Sequence, residues 1–352
     1  MNFTRYHSFN DIMECPYMRE YLNTFFSEKN LELFPQEIRD LPLALAEKLA
    51  ESPWGGSFSE VVNQLLDAVQ TVLDITNRHT RRCVSLWDED SDWTPDKEGE
   101  GGKESVFLLT PGYERNTGAD TEERNRPAVI ICPGGGYEVV CFSGEGNPVM
   151  NYMEAKGYAV FVLKYRTAPN RYPAPQEDLA LALSYVRKHA GEYGVDAGNV
   201  MLMGFSAGGH LCASFGCLYE KIAELVSAET GENTLPEDIR PDKLCLSYPV
   251  ITFGEECHEG SFQALTDGDE SMRRELSIET RVTKNYPPAF IWTCEDDDCV
   301  PPSNAVRMAE AMKEAGVPHK LCTYPTGGHG CNLAFGNSAY KWTEEMIHFM
   351  EK

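Results

Sequence analysis

Positive charge is scarce in this chain: 31 Lys and Arg stand against 55 Asp and Glu, a formal net charge of −24 with histidines neutral. Nucleic-acid binding draws on Lys and Arg that displace counterions from phosphates, so no nucleic-acid partner is expected. Docking on an anionic membrane surface is disfavoured for the same reason. Long apolar runs are missing too. No stretch approaches the roughly 20 consecutive apolar residues of a membrane span. Met1 to His7 lead into polar and acidic sequence without an apolar signal core. The twelve cysteines are sparse and irregular, and no two have the CxxC spacing of a zinc ribbon or a thiol–disulfide site. Several, such as Cys132 and Cys245, lie inside apolar runs, where a free thiol behaves as a small hydrophobe. The expectation is a cytoplasmic protein with reduced structural thiols.

Apolar mass is plentiful. Hydrophobic residues make up 42% and aromatics 11% of the 352 residues, which excludes a globally disordered chain. Residues 1–78 read as a helical N-terminal extension. Leu43, Leu45, Ala46 and Leu49, then Val61, Val62, Leu65, Leu66, Val69, Val72 and Leu73, recur at steps of three and four. Pro42 and Pro53-Trp54-Gly55-Gly56 interrupt the pattern, and Ser57 with Glu60 fits a capping box. Tyr17, Tyr21, Phe25 and Phe26 read as core rather than binding surface.

Residues 79–352 read as one catalytic domain. Arg82 to Trp87 and Ser105 to Leu109 look like strands on either side of a solvated acidic loop, Asp88 to Lys103. From Ala128 onward, short continuous apolar runs alternate with helical segments. The runs are Ala128–Cys132, Ala159–Leu163, Val200–Met203, Leu244–Leu246 and Ala289–Trp292. Runs of this length, bounded by Pro and Gly, suit strands buried on both faces of a parallel sheet. The intervening helices are expected at Asp178–His189, Gly208–Leu218, Ser303–Ala315 and Ser338–Met350. The fold class is therefore α/β, a mostly parallel central sheet flanked by helices. Phe253 to Asn285 has no strong period and is expected as an insertion near the mouth of any site.

Gly204-Phe205-Ser206-Ala207-Gly208 matches G-x-S-x-G between a strand and a helix. Small residues on both sides give a sharp turn the room it needs, and Ser206 then projects its hydroxyl above the sheet. A serine hydroxyl is a poor nucleophile until an oriented base accepts its proton. His329, in the loop after the strand Lys320–Tyr324, is the candidate base, and Asp297, in the loop after Thr293, the candidate acid. Asp296 and Asp298 compete with it, but the Asp-x-x-Val-Pro spacing favours Asp297. Cys132-Pro133-Gly134-Gly135-Gly136-Tyr137 supplies consecutive glycines whose amides can turn toward a developing oxyanion, and the Ala207 N–H would complete the hole. Tyr137 is the candidate aromatic wall of the substrate pocket, with Glu138 and Glu145 nearby. His210 reads as a packed, hydrogen-bonded histidine; His258 has no context that singles it out. Cys294 and Cys299 flank the acid loop and read as inert thiols.

Residues about 105–352 resemble the α/β-hydrolase superfamily, in its esterase branch of hormone-sensitive-lipase-like and acetyl-xylan-esterase-type carbohydrate esterases. The resemblance rests on Pro133–Tyr137, Gly204–Leu211, Asp297–Pro301 and Gly328–Gly330. It implies oxyanion donors at Gly135, Gly136 and Ala207, and hydrolysis of short acyl esters on sugars or oligosaccharides without metal or organic cofactor. Pro133 stands where many lipase-like relatives have His, which is similar to the carbohydrate-esterase side. Thr293 stands where a His often precedes the acid loop. The same triad could serve a prolyl-oligopeptidase-type peptidase, and a non-catalytic scaffold is the reading from a different class. Self-association as a homo-oligomer is left open.

Overall fold

The computed structural model describes residues 3–26, 32–50, 58–76, 80–88, 91–97, 101–112 and 125–351. The Pro53–Gly56 interruption and the cap at Ser57 lie outside them. Eight strands form one sheet: β1 Cys83–Ser85, β2 Phe107–Leu109, β3 Arg126–Cys132, β4 Ala159–Lys164, β5 Val195–Phe205, β6 Lys243–Ser247, β7 Ala289–Cys294 and β8 His319–Tyr324. Their order is β1-β2-β4-β3-β5-β6-β7-β8. The pairs β1–β2 and β2–β4 are antiparallel and all later pairs are parallel.

The apolar runs are continuous because both sheet faces are covered. Successive side chains on a strand point to opposite faces, and the core divides accordingly. Ala128, Ile130, Phe161, Leu202, Leu244 and Ile291 join one cluster. Their neighbours Val129, Ile131, Val160, Met203, Cys245 and Trp292 join the other. Helices Ala174–Lys188, Ala207–Thr230 and Ser303–Glu314 bury their apolar residues in the first cluster. Helices Asn147–Ala155 and Trp342–Met350 do so in the second.

The N-terminal residues belong to this second cluster rather than to a separate core. Helices Pro16–Phe25 and Phe58–Thr76 bring Met18, Leu22, Phe25, Val62, Leu65 and Val69 against β2 and the helix after the glycine loop. Phe25 meets Phe107 and Phe142 edge-on, with ring centroids 6.1 and 5.7 Å apart. Such contacts add to the area that aromatic rings bury. In the short helix Leu43–Leu49 only Leu43 and Ala46 are buried. Leu45 and Leu49 are exposed, because seven residues present a single buried turn. The acidic loop also departs from expectation. Trp93 is buried against Phe107, its indole N–H donates to the Glu104 carbonyl at 3.0 Å, and Asp92 bridges Val84. Trp93 thus anchors the segment to the sheet edge, while Asp88, Asp92 and Asp96 stay exposed as a solvated loop requires.

Among the described residues no helix is long and apolar enough to cross a membrane.

Because Phe25 packs on the sheet itself, Phe25→Ala should cost the protein about 3–5 kcal/mol. The denaturant midpoint should fall when followed by the fluorescence of Trp292 and Trp342, which lie in the same cluster. An unchanged tryptophan transition would mean that the N-terminal helices unfold independently of the sheet.

Candidate active site

Parallel strands deliver their C-terminal ends to one side of the sheet, and the predicted residues all lie just past such ends. The glycine loop follows β3, Ser206 follows β5, Asp297 follows β7 and His329 follows β8.

Ser206 occupies the turn between β5 and the helix Ala207–Thr230 with φ 52° and ψ −119°. L-residues rarely adopt such backbone, and holding it costs of order 1–3 kcal/mol. Two hydrogen bonds to the β6 side restrain it: Ser206 N–H to the Ser247 carbonyl at 3.0 Å, and Val250 N–H to the Ser206 carbonyl at 3.1 Å. The turn fits only because Gly208 lacks a side chain, since a Cβ there would lie 2.1 Å from the Cys132 carbonyl oxygen. The glycine loop crosses directly over the serine: a Cβ on Gly134 would lie 2.9 Å from the Ser206 Cβ.

The three candidate residues come together. His329 Nε2 lies 2.8 Å from Ser206 Oγ, and His329 Nδ1 lies 2.8 Å from Asp297 Oδ2. Asp297 is buried, and its other oxygen accepts the Cys299 and Val300 amides at 3.0 and 2.9 Å. Its neighbours do not compete. Asp298 is exposed. Asp296 accepts the Gly328 and Gly327 amides at 2.8 and 3.2 Å, shaping the histidine loop, and the Gly328 bond holds its carboxyl below the ordinary value. The N–H groups of Gly135, Gly136 and Ala207 find no acceptor among the described residues.

Tyr137 is not a pocket wall. Its φ of 62° turns the ring inward, 1% exposed, against Tyr165 and His210. His210 Nε2 lies 2.9 Å from the Leu276 carbonyl, which can only accept, so Nδ1 is bare and accepts the Tyr137 hydroxyl at 2.9 Å. This chain ties the glycine loop to the helix behind Ser206 and to the insertion. Burial pushes His210 down to about 4. It is the packed histidine its sequence context suggested.

Glu145 is likewise buried rather than pocket-lining. Its carboxylate accepts Gly134 N–H at 2.6 Å and the Tyr248 hydroxyl at 2.8 Å, while Tyr248 in turn accepts Asn332 N–H at 3.2 Å. Tyr248 also meets the His329 ring edge-on at 5.0 Å. One carboxylate thus connects the loop over Ser206 to the loop carrying His329. Burial raises its pKa, opposed by the Tyr248 and Gly134 bonds. No sequence signal separates this Glu from other acidic residues, because its partners are 11 and 103 positions away.

Cys294 is buried and shares a hydrogen bond with Cys331 of the histidine loop, which lowers its pKa, whereas Cys299 is exposed. Among the described residues no group of three or more His, Cys, Asp or Glu is placed to hold a metal ion. A cavity of about 370 Å³ lined by Lys156, Tyr158, Asn199 and Lys243 lies at the N-terminal ends of β3, β5 and β6, away from Ser206.

A sequence model of the BD-FAE family matches residues 118–312. The chain is 35% identical over 222 residues to endo-1,4-beta-xylanase B of Butyrivibrio fibrisolvens, covering 60% of this chain and 34% of that protein. It is 30% identical over 228 residues to the acetylxylan esterase of Xylanibacter ruminicola, covering 62% and 43%. This chain therefore spans about a third to under half the length of these two curated relatives. Among solved structures, the acetyl ester-xyloside bifunctional hydrolase of Caldicellulosiruptor lactoaceticus superposes with a TM-score of 0.63 at 31% identity, covering 76% of this chain and 95% of that one. A thermophilic esterase of Thermogutta terrifontis, with a TM-score of 0.59 and 23% identity over 79% of this chain and 96% of its own, shares the fold. That fold is the α/β hydrolase.

The buried His210 makes stability depend on pH. Its folded-state pKa is depressed from 6.5 to about 4, so its contribution is fully present above pH 6.5 and is lost as pH falls toward 4. The loss should reach roughly 3 kcal/mol at pH 4. Urea titrations from pH 7 to 4 should show a shallower decline for His210→Gln than for the wild type; parallel declines would assign the acid sensitivity elsewhere.

Proposed function

The chain belongs to the BD-FAE family, in the esterase branch of the α/β hydrolases, and from that premise we propose that it is a serine carboxylic-ester hydrolase removing short acyl groups, acetyl above all, from sugars or oligosaccharides. The observation that carries this reading is the unbroken pair of 2.8 Å contacts from Ser206 through His329 to Asp297. Asp297 takes two amides on Oδ1 and offers Oδ2 to the imidazole, an acceptor that favours the proton on His329 Nδ1. Nε2 is then free to accept the Ser206 proton as Oγ attacks the ester carbonyl.

The imidazolium that forms is stabilised by the Asp297 carboxylate. The carbonyl oxygen becomes an oxyanion, for which the unpaired amides of Gly135, Gly136 and Ala207 are the donors at hand. Each such donor is worth roughly 2.7–4 kcal/mol in the transition state. The partial positive charge at the N-terminus of the helix Ala207–Thr230 acts in the same sense. His329 gives its proton to the departing alcohol and leaves an acyl-serine. It then takes a proton from water as the water oxygen attacks the acyl carbonyl, and returns that proton to Ser206 Oγ as the acyl–Oγ bond breaks and the free acid leaves.

The sugar-ester part of the reading is supported by the relatives. Two similar proteins carry acetylxylan esterase and acetyl ester-xyloside hydrolase in their names. Ser206→Ala should lower ester turnover by on the order of 10⁴-fold or more while leaving the thermal midpoint nearly unchanged. Near-wild-type turnover of 4-nitrophenyl acetate by this variant would refute the mechanism. A parallel assay on acetylated xylo-oligosaccharides and dipeptide amides tests the substrate class: peptide cleavage without deacetylation would replace the esterase with a peptidase.

A further inference from the structure

The insertion after β6 brings His258 beside the glycine loop. His258 is the N-cap of the helix Glu259–Thr266. Ser261 N–H donates to its Nδ1 at 3.1 Å, and the Ser261 hydroxyl lies 2.8 Å from the same nitrogen. An amide N–H can only donate, so Nδ1 is bare and the neutral ring carries its proton on Nε2. That Nε2–H has no hydrogen-bond partner among the described residues.

The ring faces the glycine loop. A Cβ built on Gly136 would meet His258 Cε1 at 4.0 Å and no other non-neighbouring heavy atom within 4 Å. The imidazole edge therefore lies beside Gly136, one of the candidate oxyanion donors. Burial and the nearby His329 hold His258 below its ordinary value, against the carboxylates of Glu138 and Asp297. The insertion that presents it is pinned: Arg171 donates to the Ala264 carbonyl at 2.6 Å, and Tyr172 N–H to the Leu265 carbonyl at 2.8 Å. A fixed, half-buried donor with an unspent proton beside the glycine loop suits an alcohol that carries oxygen acceptors of its own.

We propose that His258 is a specificity-determining residue for the alcohol side of the ester, its Nε2–H hydrogen-bonding a hydroxyl or ring oxygen of the sugar that bears the acyl group. This rests on the sugar-ester reading above. A sugar alcohol offers several oxygens around the scissile bond. An aryl alcohol such as nitrophenol offers none nearby, so the two leaving groups should respond differently to loss of the donor.

The test is His258→Asn in the full chain. Asparagine keeps a side-chain acceptor for the helix cap but is too short to present a donor where Nε2 stands. For an acetylated methyl xyloside, kcat/KM should fall about three- to tenfold, mostly through KM, the size expected for one neutral hydrogen bond. For 4-nitrophenyl acetate it should stay within about twofold, the scatter of changes that touch no contact. His258→Ser, also a capping residue, is the second variant should the first fold poorly. Equal losses on both substrates would overturn the proposal, because a merely structural role would disturb the shared acyl chemistry. Unchanged values on both would also overturn it. A wild-type enzyme that hydrolyses the aryl acetate but not the xyloside would instead remove the sugar-ester reading, and this proposal with it.

Discussion

Backbone crowding where β3 and β5 end is the constraint around which the site is arranged. The two strands are adjacent and parallel, with Cys132 paired to Gly204, so the chain must leave both at the same height and within contact of itself. Gly208 meets the Cys132 carbonyl with no space for a side chain, and Gly134 passes over the Ser206 Cβ. A serine held at positive φ in that crowd cannot relax into ordinary helix or strand geometry. Its hydroxyl is left above the sheet, and the neighbouring amides are left without acceptors. The cost of the strained turn is met by the packed strands on either side, whose alternating residues feed two separate cores.

Around this turn the loops are braced by buried polar groups rather than by apolar packing alone. Glu145 and Tyr248 link the glycine loop to the histidine loop. Tyr137 and His210 link it to the helix behind the serine and to Leu276. Tyr165 adds a third brace, donating to the Pro133 carbonyl at 2.6 Å. Buried polar groups of this kind are costly unless paired. Here each pairing also fixes the distance between two loops that no regular secondary structure connects. Position rather than packing density is what these contacts secure, and a candidate site assembled from four strand ends depends on position.

How much of this could be read before any coordinates depended on the range of the interaction involved. The strands from Ala128 onward were legible because burial on both faces leaves continuous apolar runs. Ser206 was legible because a tight strand-to-helix turn needs small neighbours within four residues. Tyr137 was misread: its position after three glycines suggested a pocket wall, and only its positive φ and the distant His210 turn it into the core. Glu145 and His258 carry no local signature. One is identified by partners on other loops, the other by a cap whose ring carbon Cε1 comes closest to Gly136, far away in the chain. The buried Trp93 in an acidic segment is a similar case, since its partner Phe107 lies on a strand that composition alone cannot align with it.

By itself the sequence determined the layered α/β architecture and the tight strand-to-helix turn at Ser206, because periodicity and steric demand at a turn act between near neighbours. Only the tertiary structure decided which of three adjacent aspartates faces His329, that the N-terminal helices complete one face of the sheet, and which buried carboxylate joins the two loops. Those outcomes depend on distances between residues separated by tens to hundreds of positions, and such distances exist only once the strands have paired.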